Sequence, residues 1–271
     1  MNRASALTAT LVLVFPKVGE AQAVESRRPT TPSAEVFASP WPFPLGETAE
    51  YDVTFGPVHV GRARLAIEAI DTVRATPAFR LAFELAGGAF FYKIKDRTVG
   101  WLASDPYRSL RFEQILHEGS FRRHRRYELD SDAGSVLRED WDEEAGVYRP
   151  HPQQDDAGLP PFALDEISIL YLVRTLPLEV GRTYTFHNYF QPEGNPVVVE
   201  VLRRERVRVR AGRFDTVVIR PIIHTEGMFG DGGEAELYIT DDDRRWIVQL
   251  RTRMKVGEID MFLREAPSDA T

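Results

Sequence analysis

Apolar and polar residues alternate with a period of two over much of this chain, and that pattern constrains it to strands. Ala49, Tyr51, Val53 and Phe55 have one parity; Thr48, Glu50, Asp52 and Thr54 have the other. An antiparallel strand with one buried face reads this way because successive side chains point to opposite faces. Gly56-Pro57 turns the chain. Val58 and Val60 then share a face, but Ala63, Leu65, Ile67 and Ala69 have the opposite parity. A switch at Gly61 predicts a β-bulge within about two residues of it. Phe79, Leu81, Phe83 and Leu85 mark the next strand. Further strands are expected near 90–102, 107–118, 121–130, 183–190, 197–210, 214–224, 234–240, 246–256 and 258–263.

One segment departs from the pattern. Pro160-Pro161 precedes it and Pro177 follows, and Ile167, Leu170, Tyr171 and Arg174 recur at i, i+3, i+4 and i+7. This spacing predicts one amphipathic helix near 164–175, with Asp165 at its start facing free amide groups. Residues 142–160 are acidic and Pro-rich and read as a long loop. The expected fold is mainly β: a strongly bent antiparallel sheet, either an open barrel or a two-sheet clamp, with that one helix. One β-rich domain is expected over 43–265, in two halves divided near 142–176, followed by a tail at 266–271. A Pro-rich linker with Pro29, Pro32, Pro40 and Pro42 occupies 24–42.

The first 23 residues have the pattern of a cleaved signal peptide. Arg3 supplies the positive charge, Ala6 to Phe15 is an apolar run, and Ala21-Gln22-Ala23 is a small-x-small cleavage signal. The run is too short to span a bilayer, which takes about 20 residues. The chain contains no cysteine, which excludes disulfides, thiolate chemistry and a lipid-modified cysteine. A periplasmic or secreted protein without a stable membrane anchor is the expectation. The net charge of −7 gives no attraction to phosphate backbones, so nucleic acid is not an expected partner.

Chemical motifs are sparse. The histidines form neither an HxH nor an HExxH pair; His224 and Glu226 share a strand face, but two ligands do not make a metal site. Asp241-Asp242-Asp243 reads as a hairpin loop whose carboxylates satisfy their own backbone. Gly230-Asp231-Gly232-Gly233 lacks the Lys-Ser/Thr of a phosphate loop. Arg204, Arg206, Arg208 and Arg210 line one strand face, and Arg122, His124 and Arg126 another. These read as solvated outer faces crossing acidic neighbours, with an anion-binding stripe as the alternative. No catalytic residue, metal or cofactor is implied.

Several fragments together resemble the exported bacterial family called domain of unknown function 3108. They are Phe43-Pro44-x-Gly46-Glu47-x-x-x-Tyr51-Asp52-Val53, Gly56-Pro57-x-x-Val60-Gly61-x-Ala63, Asp165-x-x-Ser168-x-x-Tyr171-x-x-Arg174, Leu178-x-x-Gly181, Ala211-Gly212-Arg213-Phe214 and Glu236-Leu237-Tyr238-Ile239-Thr240-Asp241-Asp242. The resemblance spans about 43–263 and implies an exported β-rich protein with no catalytic roles to carry over. The expected function is a non-catalytic periplasmic binding or envelope-assembly protein, holding an elongated, partly apolar ligand in a curved β-cradle. A lipid-like molecule or a polysaccharide is the candidate ligand, and Tyr51, Phe55, Tyr171 and Arg174 are the candidate binding residues. The alternatives are a hydrolase or lyase acting on an envelope polymer, and a structural module binding an envelope protein by strand addition. N-terminal sequencing of exported protein should find Val24 first; a mature chain beginning at Met1 refutes the export reading.

Overall fold

The computed structural model describes residues 31, 41–89, 92–152, 158–222, 234–254 and 257–268. The proposed signal peptide, His224, Glu226 and the 230–233 glycines lie outside them. Eight strands form a meander: β1 (Thr48–Phe55), β2 (Val58–Val73), β3 (Thr76–Ala89), β4 (Tyr92–Ala103), β5 (Ser109–Glu118), β6 (Phe121–Asp130), β7 (Ser135–Asp142) and β8 (Val147–Pro150). Helix α1 (Glu166–Leu172) and a 3-10 turn (Val173–Thr175) follow. A second meander then runs through β9 (Thr183–Phe186), β10 (Val197–Val209), β11 (Gly212–Ile222), β12 (Glu234–Thr240), β13 (Ile247–Met254) and β14 (Gly257–Leu263). Because β1 pairs with β14, the two meanders fuse into one 14-stranded antiparallel sheet. It does not close: β8 and β9 are its edges.

The sheet curls because only one of its faces has a core to bury. Inward residues of both meanders, such as Leu81, Phe112, Val199 and Leu250, join the helix in one apolar cluster. Buried and exposed positions alternate along β1 as the parity requires. The bulge falls where the parity switches: Val53 pairs with Gly61 and Thr54 with His59, leaving Val60 as the extra residue. Gly61 also lies against a neighbouring strand, where a Cβ would stand 2.5 Å from the Ala86 carbonyl oxygen.

Three features differ from the sequence expectation. The 142–160 stretch is not loop throughout, since Val147–Pro150 pairs with Glu139–Asp142. This hairpin went unread because neither of its faces is sealed and its burial therefore does not alternate. Rings on its outer face support it instead: His124 stacks on Trp141 at 4.9 Å, Tyr148 meets both edge-on, and the Arg126 guanidinium lies 3.9 Å above Tyr148. Second, the helix is buried on every side rather than along one stripe. It fills the curl of the sheet, so even Glu166 and Ser168 are enclosed. Third, Trp41, at the end of the proposed linker, stacks on Phe79 at 4.7 Å, and Ser268 in the proposed tail bridges to Thr48.

The helix is seated by its first residue. Asp165 Oδ1 accepts from the Ile167 and Ser168 amides at 2.9 and 2.8 Å, the N-cap expected from sequence. Its Oδ2 accepts from the Ser109 and Ser168 hydroxyls at 2.6 and 2.7 Å. Burial pushes this carboxyl up, and the four donors pull it back. Gly100 on β4 permits the approach: a Cβ there would stand 2.7 Å from both carboxylate oxygens. Gly100→Ala should therefore cost about 1–3 kcal/mol in urea unfolding, and an unchanged midpoint would show that the cap is not seated on β4.

Candidate functional site

Three of the four candidate binding residues meet at the centre of the molecule. Tyr51 is 1% exposed and donates to the Ile247 carbonyl at 2.9 Å. Tyr171 is fully buried in a ring cluster with Trp41 and Phe43. Arg174 is 2% exposed and forms a bidentate pair with Glu47, at 2.7 and 3.0 Å. Its Nε also donates to the Arg245 carbonyl at 2.8 Å, and its guanidinium carbon sits 3.8 Å above the Phe43 ring. Arg174 has thus found a partner and does not mark a cavity mouth. These side chains fill the curl instead of lining a space. Phe55 lies apart from them, 41% exposed at the tip of β1.

Outward arginines have the solvated pairing expected from sequence. Arg204 meets Asp241, Arg206 meets Asp215 and Arg126 meets Glu139. In the β12–β13 loop, Asp242 accepts from the Thr240 hydroxyl and the Arg244 amide. An apolar cleft of about 250 Å³ lies beside the lead-in to the helix, between Pro160, Phe162, Phe186 and His187. The described residues hold no group of three side chains able to ligate a metal.

The polar feature that stands out is on the inner face of β4–β6, next to the helix start. Register brings Gln114 opposite Thr98 on one side and Arg125 on the other. Arg125 Nε donates to Gln114 Oε1 at 2.8 Å, and its guanidinium carbon lies 5.3 Å from the Tyr127 ring. Burial, with Arg123 and Arg138 nearby, holds its pKa below the usual guanidinium value. Across from this strand the enclosed Glu166 carboxyl accepts from the Tyr189 hydroxyl at 3.0 Å. Burial raises Glu166 to about 7, against the pull of that hydrogen bond. Further along the same face, Asp96 and Glu118 hydrogen-bond to each other. Burial pushes both up, and for Glu118 the Asp96 charge adds to the effect. Leu85, Ile94 and Leu116 are half-exposed there, and Phe121 is exposed. The inner lining thus changes from sealed and apolar to open and mixed.

With this geometry in place, the comparisons are informative about fold. The family described as "Protein of unknown function (DUF3108)" matches residues 50–264. The chain belongs to the DUF3108 family. Among curated proteins no sequence matches it. Its fold is similar to that of a β-barrel-like DUF1849 protein from Brucella abortus, with 9% identity, a TM-score of 0.51, and coverage of 84% of this chain and 99% of that one. The hypothetical protein CT021 from Chlamydia trachomatis aligns at 7% identity and a TM-score of 0.35, over 88% of this chain and 94% of that one. Among the described residues of this DUF3108 protein, no helix is long and apolar enough to cross a membrane.

Sequence reasoning missed Glu166, Gln114 and the inward arginines. It singled out Arg122, His124 and Arg126, which point outward. The parity of Tyr127 and Leu129, both buried, is the signal that places Arg123 and Arg125 inside. For Glu166 the sign of the pH effect is fixed. Its folded pKa lies above the unfolded value, so its contribution is present at pH 4.5 and is lost as pH rises through about 7. Glu166→Gln should flatten the fall in stability between those limits by as much as about 3 kcal/mol. Urea midpoints measured across this range decide it; parallel wild-type and variant profiles would contradict the assignment.

Proposed function

We propose that the protein is an exported, non-catalytic binding or assembly protein of the cell envelope. It holds an elongated, partly apolar ligand along the open part of its inner face. The observation that carries the reading is the break in the inner lining. Tyr51, Leu81 and Phe112 are sealed around the helix, whereas Leu85, Ile94 and Leu116 are left half-exposed on the same concave side. A strip crossing four adjacent strands is about 15 Å wide, which suits a chain-like ligand better than a compact one. Phe55, exposed at the tip of β1 with the inward parity, extends the apolar rim. The envelope address rests on the pattern of Arg3, Ala6 to Phe15 and Ala21-Gln22-Ala23.

The other readings have less support. Strand addition works best with a long free edge, and the two edge strands here are four residues each, one of them ending in Pro150. Glycoside hydrolysis needs carboxyls about 5–10 Å apart, whereas Asp96 and Glu118 are in direct hydrogen bond.

A fluorescent fatty acyl probe tests the reading. The wild-type protein should bind it saturably. Leu116→Asp should weaken binding about tenfold, by placing a charge where an apolar side chain was, and should keep the unfolding midpoint. Tyr51→Phe, in the sealed part, should leave probe binding unchanged. Absence of saturable binding by the wild type would sink the proposal.

A further inference from the structure

We propose that Arg123 and Arg125 form the seat for an anionic head group, a carboxylate or a phosphate, on a single-chain amphiphile whose tail lies along Leu85, Ile94 and Leu116. This deepens the binding reading above and rests on it.

Three observations support the seat. The first is the lack of a direct carboxylate contact. Among the described residues Arg125 makes one hydrogen bond, to the neutral Gln114 amide, and no carboxylate lies within 4 Å of it. Among the described residues Arg123 makes no hydrogen bond, and it lies 5.0 Å from the Phe121 ring. Several outward arginines do have a direct carboxylate contact: Arg97 pairs with Glu68 and Glu84, Arg111 with Glu128, and Arg203 with Glu236. Glu166 and Glu118 act on Arg125 and Arg123 only at longer range, and a partly buried cation without a direct ion pair is costly.

The second observation is that the nearby acids make their direct hydrogen bonds to other groups. Asp96 and Glu118 hold each other, and Glu166 is held by Tyr189. Asp140, opposite Arg125 in the β6–β7 ladder, is bound by His151 at 2.5 Å and meets Arg138, and Asp142, of the same parity, meets Arg149. The third is position. Arg123 and Arg125 are two residues apart on β6 and point the same way, so their Cα atoms lie about 6.6 Å apart. Two forked guanidinium groups at that spacing can converge on one oxyanion and supply charge-assisted hydrogen bonds. Leu116 pairs with Arg123 across the ladder, which puts the apolar strip directly beside the charged one.

Calorimetric titration of the purified protein with dodecanoate, dodecyl phosphate, dodecanol and inorganic phosphate, each below its aggregation threshold, tests the inference. Dodecanoate or dodecyl phosphate should bind at least about tenfold tighter than dodecanol. The double variant Arg123→Gln/Arg125→Gln should bring the acid down to the alcohol's affinity, with the melting temperature retained or raised. Equal binding of acid and alcohol by the wild type would overturn the seat while leaving the ligand strip standing. So would a double variant that keeps its preference for the acid. Inorganic phosphate binding as tightly as dodecyl phosphate would overturn the amphiphile. Failure of every alkyl probe to bind, the alcohol included, would overturn the underlying binding reading itself.

Discussion

A buried ion pair holds this molecule together. Arg174, at the end of the helical segment, grips the Glu47 carboxylate just before the first strand and the backbone of the β12–β13 loop at Arg244 and Arg245. Three parts of the chain that are remote in sequence are thereby tied at one guanidinium. Taking both charges out of water is expensive, and the cost is offset only when geometry is good and the remaining donors are satisfied. Both conditions hold: the contact is bidentate, two carbonyls take further hydrogen bonds, and Phe43 and Tyr171 present ring faces to the cation. Losing one partner of such a pair typically costs about 3–5 kcal/mol, because it strands the other charge. The pair fixes how the two meanders close around the helix.

The opposite end of the helix is anchored by different chemistry. Asp165 gathers four donors from its own first turn and from Ser109, and Gly100 makes room for it. With both ends tied, the short helix becomes a plug in the curl of the sheet. It is too short to be stable alone, so its burial on every side accounts for its presence. A plug of seven residues cannot cover the inner face of fourteen strands. The uncovered part falls on β3–β6, and there the inward side chains are mixed and half-exposed. The open wall is therefore a consequence of how little helix the fold supplies.

Much of this was legible in the order of residues. Period-two alternation is a direct image of which side chains face the core, so strands with one sealed face, such as β1, could be read individually. The bulge near Gly61 was readable because one extra residue reverses the parity of all that follow. Asp165 as a cap, and the acidic loop at Asp241 to Asp243, were readable because both depend on contacts within a few residues. The β7–β8 hairpin was not, because neither of its faces is sealed and no alternation records it. The odd-numbered arginines of β6 were overlooked for a related reason: a charged inward position looks outward until the strand's other residues are located.

What the sequence determined by itself was local: strand content, turn positions, one helix with its cap, and the absence of cysteine. Tertiary structure alone decided which residues share a space. Tyr51, Tyr171 and Arg174 have the apolar spacing of a ligand-lining set, yet they are core, because the sheet closes on them and Glu47 takes the charge. Leu116 and Arg125 have the same parity as core residues, yet they are half-open, because the helix starts beside Arg125 and runs away from this part of the wall. Parity specifies the face of a sheet, and only the path of the rest of the chain specifies whether that face is covered.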